Sequence, residues 1–134
     1  MISRRLVAVA VGGVLGTWIR WGVTAALPVS EGSFPTATFL VNMIGAVAIG
    51  VVAVVFLDPD RPRPVGAALL GTGLLGGLTT FSAFSVEMAE LLRTGHGAMA
   101  VAYVVVSVVL GVGLARVGMI LTRRAVDGSR ESGS

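Results

Sequence analysis

Gly71-Thr72-Gly73-Leu74-Leu75-Gly76-Gly77-Leu78-Thr79-Thr80-Phe81-Ser82-Ala83-Phe84-Ser85 lies inside an apolar run from about Val65 to Leu92. Crossing a bilayer takes about 20 mostly apolar residues, and this run is long enough. Its centre is nevertheless poor helix, with four glycines in seven residues followed by two threonines. The stretch predicts a membrane helix broken near its middle. In hydrocarbon, freed backbone groups are tolerated only where protein or a water-filled cavity covers them, and freed carbonyls then suit a cation. Close helix packing through Gly73 and Gly77 is the alternative. It leaves the polar Thr79, Thr80 and Ser82 unexplained, so a break with a buried ion site is the expectation.

Composition agrees with a membrane setting. The 134 residues are 54% hydrophobic and 13% charged, with 19 glycines, and the mean hydropathy is +0.91. A soluble protein this small leaves much of its surface in water, and these charges are too few to cover it. The expected fold is an all-α integral membrane protein with four transmembrane helices, at about 6–27, 34–57, 65–92 and 98–121. Residues 125–134 are polar and low in complexity, so disorder is expected there. Arg4-Arg5 followed by an apolar run also resembles a signal peptide, with Thr24-Ala25-Ala26 as a cleavage candidate. Arg20 inside the run, and the length of the run, favour a retained span.

Several function classes drop out. The absence of cysteine removes disulfides, zinc thiolates and thiol nucleophiles. The single histidine, His96, sits in the turn Thr94-Gly95-His96-Gly97, where solvation is the expected role. A net charge of +3 and a pI of about 11.1 suggest nucleic acid, but most of the arginines flank apolar runs. They set topology instead. One side would carry Arg4, Arg5, Arg61, Arg63, Arg123, Arg124 and Arg130, the other only Arg93. The expectation is a multi-pass protein of the cytoplasmic membrane with both termini in the cytoplasm.

Polar residues within the spans need reasons, because they are expensive there. Arg20 in mid-bilayer costs about 3 kcal/mol; it either snorkels, pairs with a helix C-terminus, or lines a wet vestibule. Asn42, between apolar neighbours, either cross-links helices or donates its two amide hydrogens to an anion. Phe81 and Phe84 are three apart and share a helix face; aromatics there usually pack, yet ring edges carry partial positive charge and suit an anion. Glu87 and Glu90 close the span beside Arg93, and Glu87 is the one expected inside the protein. Tyr103 and Ser107 share a face, continued by Gly111. A helical serine often bonds its own backbone; a Tyr-Ser line is equally a hydrogen-bonding track for a dehydrated ion.

These residues resemble the CrcB/Fluc fluoride channel family. Gly12-Gly13-Val14-Leu15-Gly16-Thr17-Trp18-Ile19-Arg20-Trp21 is similar to the family's GGxxGAxxRY, and Ala37-Thr38-Phe39-Leu40-Val41-Asn42-Met43-Ile44-Gly45 to its GTxxxNxxG. Gly76-Gly77-Leu78-Thr79-Thr80-Phe81-Ser82-Ala83-Phe84-Ser85-Val86-Glu87 resembles GGxTTFSTFSxE nearly residue for residue. The likeness spans all four apolar segments in order. Departures are Thr17 for alanine, Trp21 for tyrosine, Ala37 for glycine and Ala83 for threonine. Gly111 lacks the hydroxyl with which some members continue the track.

The resemblance implies a four-helix subunit in an antiparallel dimer, with two fluoride pores at the interface. It implies a structural sodium ion on backbone carbonyls of Gly76 and Thr79, two from each subunit. Phe81 and Phe84 would present ring edges to fluoride and Asn42 would donate to it. Thr38, Tyr103 and Ser107 would extend the polar line. Fluoride is strongly hydrated, so passage needs replacement donors, none strong enough to trap it. Because the arginine bias orients the chain one way, the partner is expected to be an oppositely oriented homologue, with a homodimer as the alternative.

Two rivals stand beside this reading. A small-multidrug-type exporter needs a carboxylate in a span, usually the first, and span one has none. A non-conducting subunit of a larger membrane complex is the other. An enzyme is not expected, with no acid pair, no histidine in a span and no cysteine.

Overall fold

The computed structural model describes residues 3–56 and 64–131. The segment 57–63, with Arg61 and Arg63, lies outside the described residues. Every regular element among those described is helical. Helix α1 is Arg4–Ala26, started by Ser3, whose side chain accepts from the Leu6 amide; Pro28 follows its end. Helix α2 is Thr36–Phe56, entered from Pro35. The third span runs from Val65 to Arg93 in two pieces: α3, residues 65–78, and α4, Phe81–Arg93. Helix α5 is Gly97–Glu131, reached by a turn in which Gly95 takes φ +83°.

The third span breaks where expected in its length, and the residues that break it are the threonines. Thr79 and Thr80 are extended, with ψ 151° and 122°, whereas the glycine run before them stays helical. Its Ala68–Leu75 part is wound with the wider π turns. The glycines serve close packing. A Cβ at Gly77 would overlap the Gly13 carbonyl oxygen, and one at Gly12 the Leu69 carbonyl oxygen, so α1 and α3 lie backbone to backbone. The packing reading of Gly73 and Gly77 and the break are therefore both realised, at adjacent positions. Helix α2 pairs with α5 in the same way through Gly50 and Gly118.

Two small apolar clusters hold these pairs. Val41, Leu75 and Leu78 join α2 to α3. Leu91, Ala100 and Tyr103, with Phe34, Phe39, Phe84, Met88 and Met99 around them, join α4 to α5. Each span is only 11–22% buried in the single chain, which leaves wide apolar faces for lipid or a second subunit.

One expectation is corrected. Disorder is the sequence expectation for residues 125–134, but α5 continues to Glu131, and residues 132–134 lie outside the described ones. No proline interrupts it, and the i→i−4 hydrogen bonds of a long membrane helix propagate into polar sequence at little cost once nucleated.

Candidate functional site

The break leaves backbone groups at Thr79 and Thr80 without the partners a continuous helix would supply. Asn42, on α2, meets them. Its Nδ2 donates to the Thr80 carbonyl at 3.1 Å, and its Oδ1 accepts from the Thr80 amide at 2.9 Å. One amide hydrogen of Asn42 is left over. Thr80 is in turn the N-cap of α4, its Oγ1 accepting from the Ala83 amide at 3.1 Å.

Gly76 and Thr79 are two of the carbonyls that lose their helical donors across the break; Leu78, which an unbroken helix would pair with the Ser82 amide, is another. In an unbroken helix Thr80 would donate to Gly76 O, and Ala83 to Thr79 O. Both donors are diverted, to Asn42 and to the Thr80 hydroxyl. Leu75 O keeps the Thr79 amide at 2.9 Å and its hydroxyl at 2.8 Å. Gly77 O takes Arg20, whose Nε donates at 3.1 Å. Arg20 therefore sits on the C-terminal end of α3, as the helix-end reading expects. Gly76 is exposed and an added Cβ there would meet nothing within 4 Å. The oxygens of Gly76 and Thr79 are hard donors of the kind that suits a small cation.

Beside the break, a cavity of about 330 Å³ is lined by Asn42, Thr79, Thr80, Phe81, Phe84 and Ser107 together with Met43, Val108 and Gly111. Phe81 is 80% exposed, and its ring lies 5.9 Å from that of Phe84 at 29°. The Ser107 hydroxyl is buried and makes no hydrogen bond among the described residues, so it does not bond its own helix. The amide end of α4 faces the same region and carries partial positive charge. A half-helix carbonyl end and a half-helix amide end thus meet at mid-membrane, the first suited to a cation and the second to an anion.

Thr38, Glu87 and Tyr103 form a second group. Thr38 Oγ1 donates to Glu87 Oε1 at 2.6 Å and Tyr103 OH donates to Glu87 Oε2 at 2.8 Å. Thr38 is 3% and Tyr103 0% exposed. The group adjoins the cavity through Phe84, whose ring is 4.8 Å from that of Tyr103. The structure brings Thr38, Asn42, Phe81, Phe84, Tyr103 and Ser107 to one side of the break and places Arg20 on α3 instead. Thr80 was not singled out from sequence. The available signal was a threonine directly before an apolar helical run, the N-cap pattern. That both hydroxyls converge on Glu87 had no sequence signal.

Residues 7–119 match the family described as CrcB-like protein, Camphor Resistance (CrcB). The Fluoride-specific ion channel FluC of Saccharophagus degradans is 40% identical over 119 residues, which cover 89% of this chain and 90% of that protein. FluC 2 of Rhodococcus jostii is 44% identical over 114 residues, 85% of this chain and 95% of that one. FluC of Aquifex aeolicus is 42% identical over 115 residues, 85% and 93% respectively. With four membrane-length helices, the third broken at Thr79-Thr80, and these relatives matched along most of their length, the chain belongs to the CrcB-like family.

Proposed function

We propose that this chain is a subunit of a fluoride-specific channel that lets fluoride leave the cell passively across the cytoplasmic membrane. The observation that carries the reading is the cavity beside the break. It is lined by Phe81 and Phe84, by Ser107, whose buried hydroxyl makes no hydrogen bond among the described residues, and by Asn42, whose amide has one hydrogen beyond those Thr80 uses, within a family whose curated relatives are named fluoride-specific channels. Weak, spaced donors of this kind replace hydration without a full charge that would hold the ion. Fluoride passes Phe81 and Phe84, takes hydrogen bonds from Asn42 and Ser107, and continues toward Thr38 and Tyr103, whose protons are held by Glu87.

In the same reading Gly76 and Thr79 supply carbonyls to a structural sodium ion shared with a second, antiparallel subunit. The diverted donors and the open face of Gly76 support this. The sodium ties the two breaks together and sets their spacing. It takes no part in moving fluoride. The partner is an oppositely oriented homologue, because seven arginines against one orient this chain strongly with both termini cytoplasmic.

The test is fluoride efflux from liposomes holding this chain alone, then this chain with an oppositely biased homologue. Fast efflux with no proton gradient supports a channel. Efflux of organic cations driven by a proton gradient would establish the exporter instead, and no flux in either preparation would leave a packing subunit.

A further inference from the structure

Thr24, Thr79 and Thr122 each donate their hydroxyl to the carbonyl four residues earlier. Thr72 does not, and its hydroxyl makes no hydrogen bond among the described residues. It lies in Ala68–Leu75, the part of α3 wound with π turns, a winding that recurs at functional sites. Thr72 is exposed and lines a cavity of about 370 Å³ between the start of α1, the end of α2 and the start of α3.

The cavity exists because its walls are short. Ala53 on α2 and Ala67, Ala68 and Gly71 on α3 line it, and a Cβ at Gly71 would stand 3.3 Å from Val52 Cγ1. Arg5, in the first turn of α1, and Thr72 carry the polar side chains among the described residues that line it. Val52 and Leu75 also line a second cavity, of about 500 Å³, whose described walls are wholly aliphatic, Ile44, Val51, Leu70 and Leu74 among them. The two adjoin as a groove along α2 and α3, charged at the end where α1 begins and apolar beyond it. From Ala53 to Ile44 it follows α2 for about 14 Å. That is close to the half-thickness of a bilayer's hydrocarbon core, about 15 Å.

We propose that the groove seats one anionic phospholipid of the leaflet in which α1 begins. Its phosphate accepts hydrogen bonds from Arg5 and Thr72, and one acyl chain lies along Val51, Leu70 and Leu74. A free anion would use only the charged end and leave the aliphatic run, one leaflet long, unexplained. Arg4, exposed beside Arg5, adds attraction for a headgroup of net negative charge. The groove shares no described lining residue with the cavity at the break, so the lipid stands apart from the proposed fluoride route.

The test titrates the full chain in detergent with phosphatidylglycerol and, separately, phosphatidylcholine, and counts bound lipid by native mass spectrometry. One phosphatidylglycerol per chain is expected, held at least about fivefold more tightly than phosphatidylcholine. Arg5→Gln should lower phosphatidylglycerol affinity about fivefold and phosphatidylcholine affinity less. Thr72→Val keeps the shape of the side chain and should weaken both lipids alike, because both carry phosphate. Ala68→Leu should fill the groove and weaken both. Arg5→Gln alters an exposed side chain and decides the matter should Ala68→Leu fail to fold. Equal affinity for the two lipids, or unchanged phosphatidylglycerol affinity in Arg5→Gln, overturns the lipid seat. Displacement of the lipid by inorganic phosphate would make this a free-anion site and overturn it too. So would an Ala68→Leu chain that binds lipid normally but forms fewer two-chain species, since the groove is then a subunit interface. Fluoride efflux is not the readout, so failure here leaves the channel reading standing.

Discussion

Asn42 closes both ends of its amide on a single residue, Thr80, with its Nδ2 on the carbonyl and its Oδ1 on the amide. A side chain from α2 thereby replaces the hydrogen bonds that α3 and α4 lose where the third span breaks. The two sequence readings of Asn42, cross-link and anion donor, are compatible, because the amide has one hydrogen beyond what Thr80 uses. Asn42→Leu removes both bonds and leaves the Thr80 groups unpaired at membrane depth. The expected loss is about 1–3 kcal/mol of subunit stability, read as a lower thermal transition in detergent. Asn42→Asp keeps the acceptor for the Thr80 amide and is expected to lose less stability while abolishing donation to an anion. A wild-type transition for Asn42→Leu would refute the supporting role.

Phe81 and Phe84 differ in a way that separates packing from conduction. Phe81 is 80% exposed, whereas Phe84 packs on Tyr103. Phe81→Ile gives up only the contact with the Phe84 ring and is expected to lower stability less than Phe84→Ile does. Phe84→Ile gives up an aromatic contact worth about 0.5–1.5 kcal/mol. Both are expected to cut fluoride efflux at least about tenfold if ring edges replace hydration along the route. Efflux at the wild-type rate in both variants removes the phenylalanines from the path.

The four spans, the break and most of the residues around it were legible because hydropathy and poor helix formers act locally. What was not legible depended on three-dimensional pairing. The glycine run looked like the break itself, yet Gly12 and Gly77 are needed for backbone contact between α1 and α3, and the chain gives way two residues later at Thr79. The convergence of Thr38 and Tyr103 on Glu87 joins three helices, and no periodicity within one helix reports it. The polar sequence after Arg124 lacks apolar periodicity, which hid a helix that continues from its apolar part.

Gly76 and Gly77 are adjacent and are expected to fail differently. A side chain at Gly77 collides with α1, so Gly77→Val should destabilise the subunit itself by about 1–3 kcal/mol. A side chain at Gly76 meets open space in the single chain. Gly76→Val should therefore leave the subunit folded and, on the proposed reading, disrupt only the proposed dimer and sodium site. Thr79→Ser, which keeps the hydroxyl bonded to Leu75 O, should be tolerated. Thermal stability together with size measurement in detergent separates these outcomes. Equal tolerance of Gly76→Val and Thr79→Ser would leave ordinary helix packing as the only role of Gly76.

Glu87 accepts from two hydroxyls that have almost no exposure. Glu87→Ala leaves both without an acceptor, and the expected loss is about 1–3 kcal/mol for each unsatisfied group. Glu87→Gln keeps one acceptor oxygen and should lose less. A double variant with Tyr103→Phe should recover part of the Glu87→Ala loss, since one unpaired hydroxyl is then gone. Strict additivity in thermal unfolding would argue that the hydroxyls find other partners when Glu87 is absent.

The last prediction concerns assembly in the cell. An antiparallel dimer of identical chains needs each chain to insert both ways in comparable amounts, which demands balanced arginines in the loops. On the proposed topology Arg4, Arg5, Arg61, Arg63, Arg123, Arg124 and Arg130 would lie on one side and Arg93 on the other, and Arg93 is itself paired with Glu90. On that count the chain is expected not to supply its own inverted partner. Association of this chain alone in detergent does not bear on the point, because micelles impose no orientation. A topology reporter fused at the C-terminus and expressed in cells should signal from the cytoplasm alone. Moving the bias, by Arg4→Ser and Arg5→Ser with two arginines added to the 28–33 loop, should yield signal from both sides. Comparable signals from both sides in the unaltered chain would refute the paired-homologue assembly and restore the homodimer.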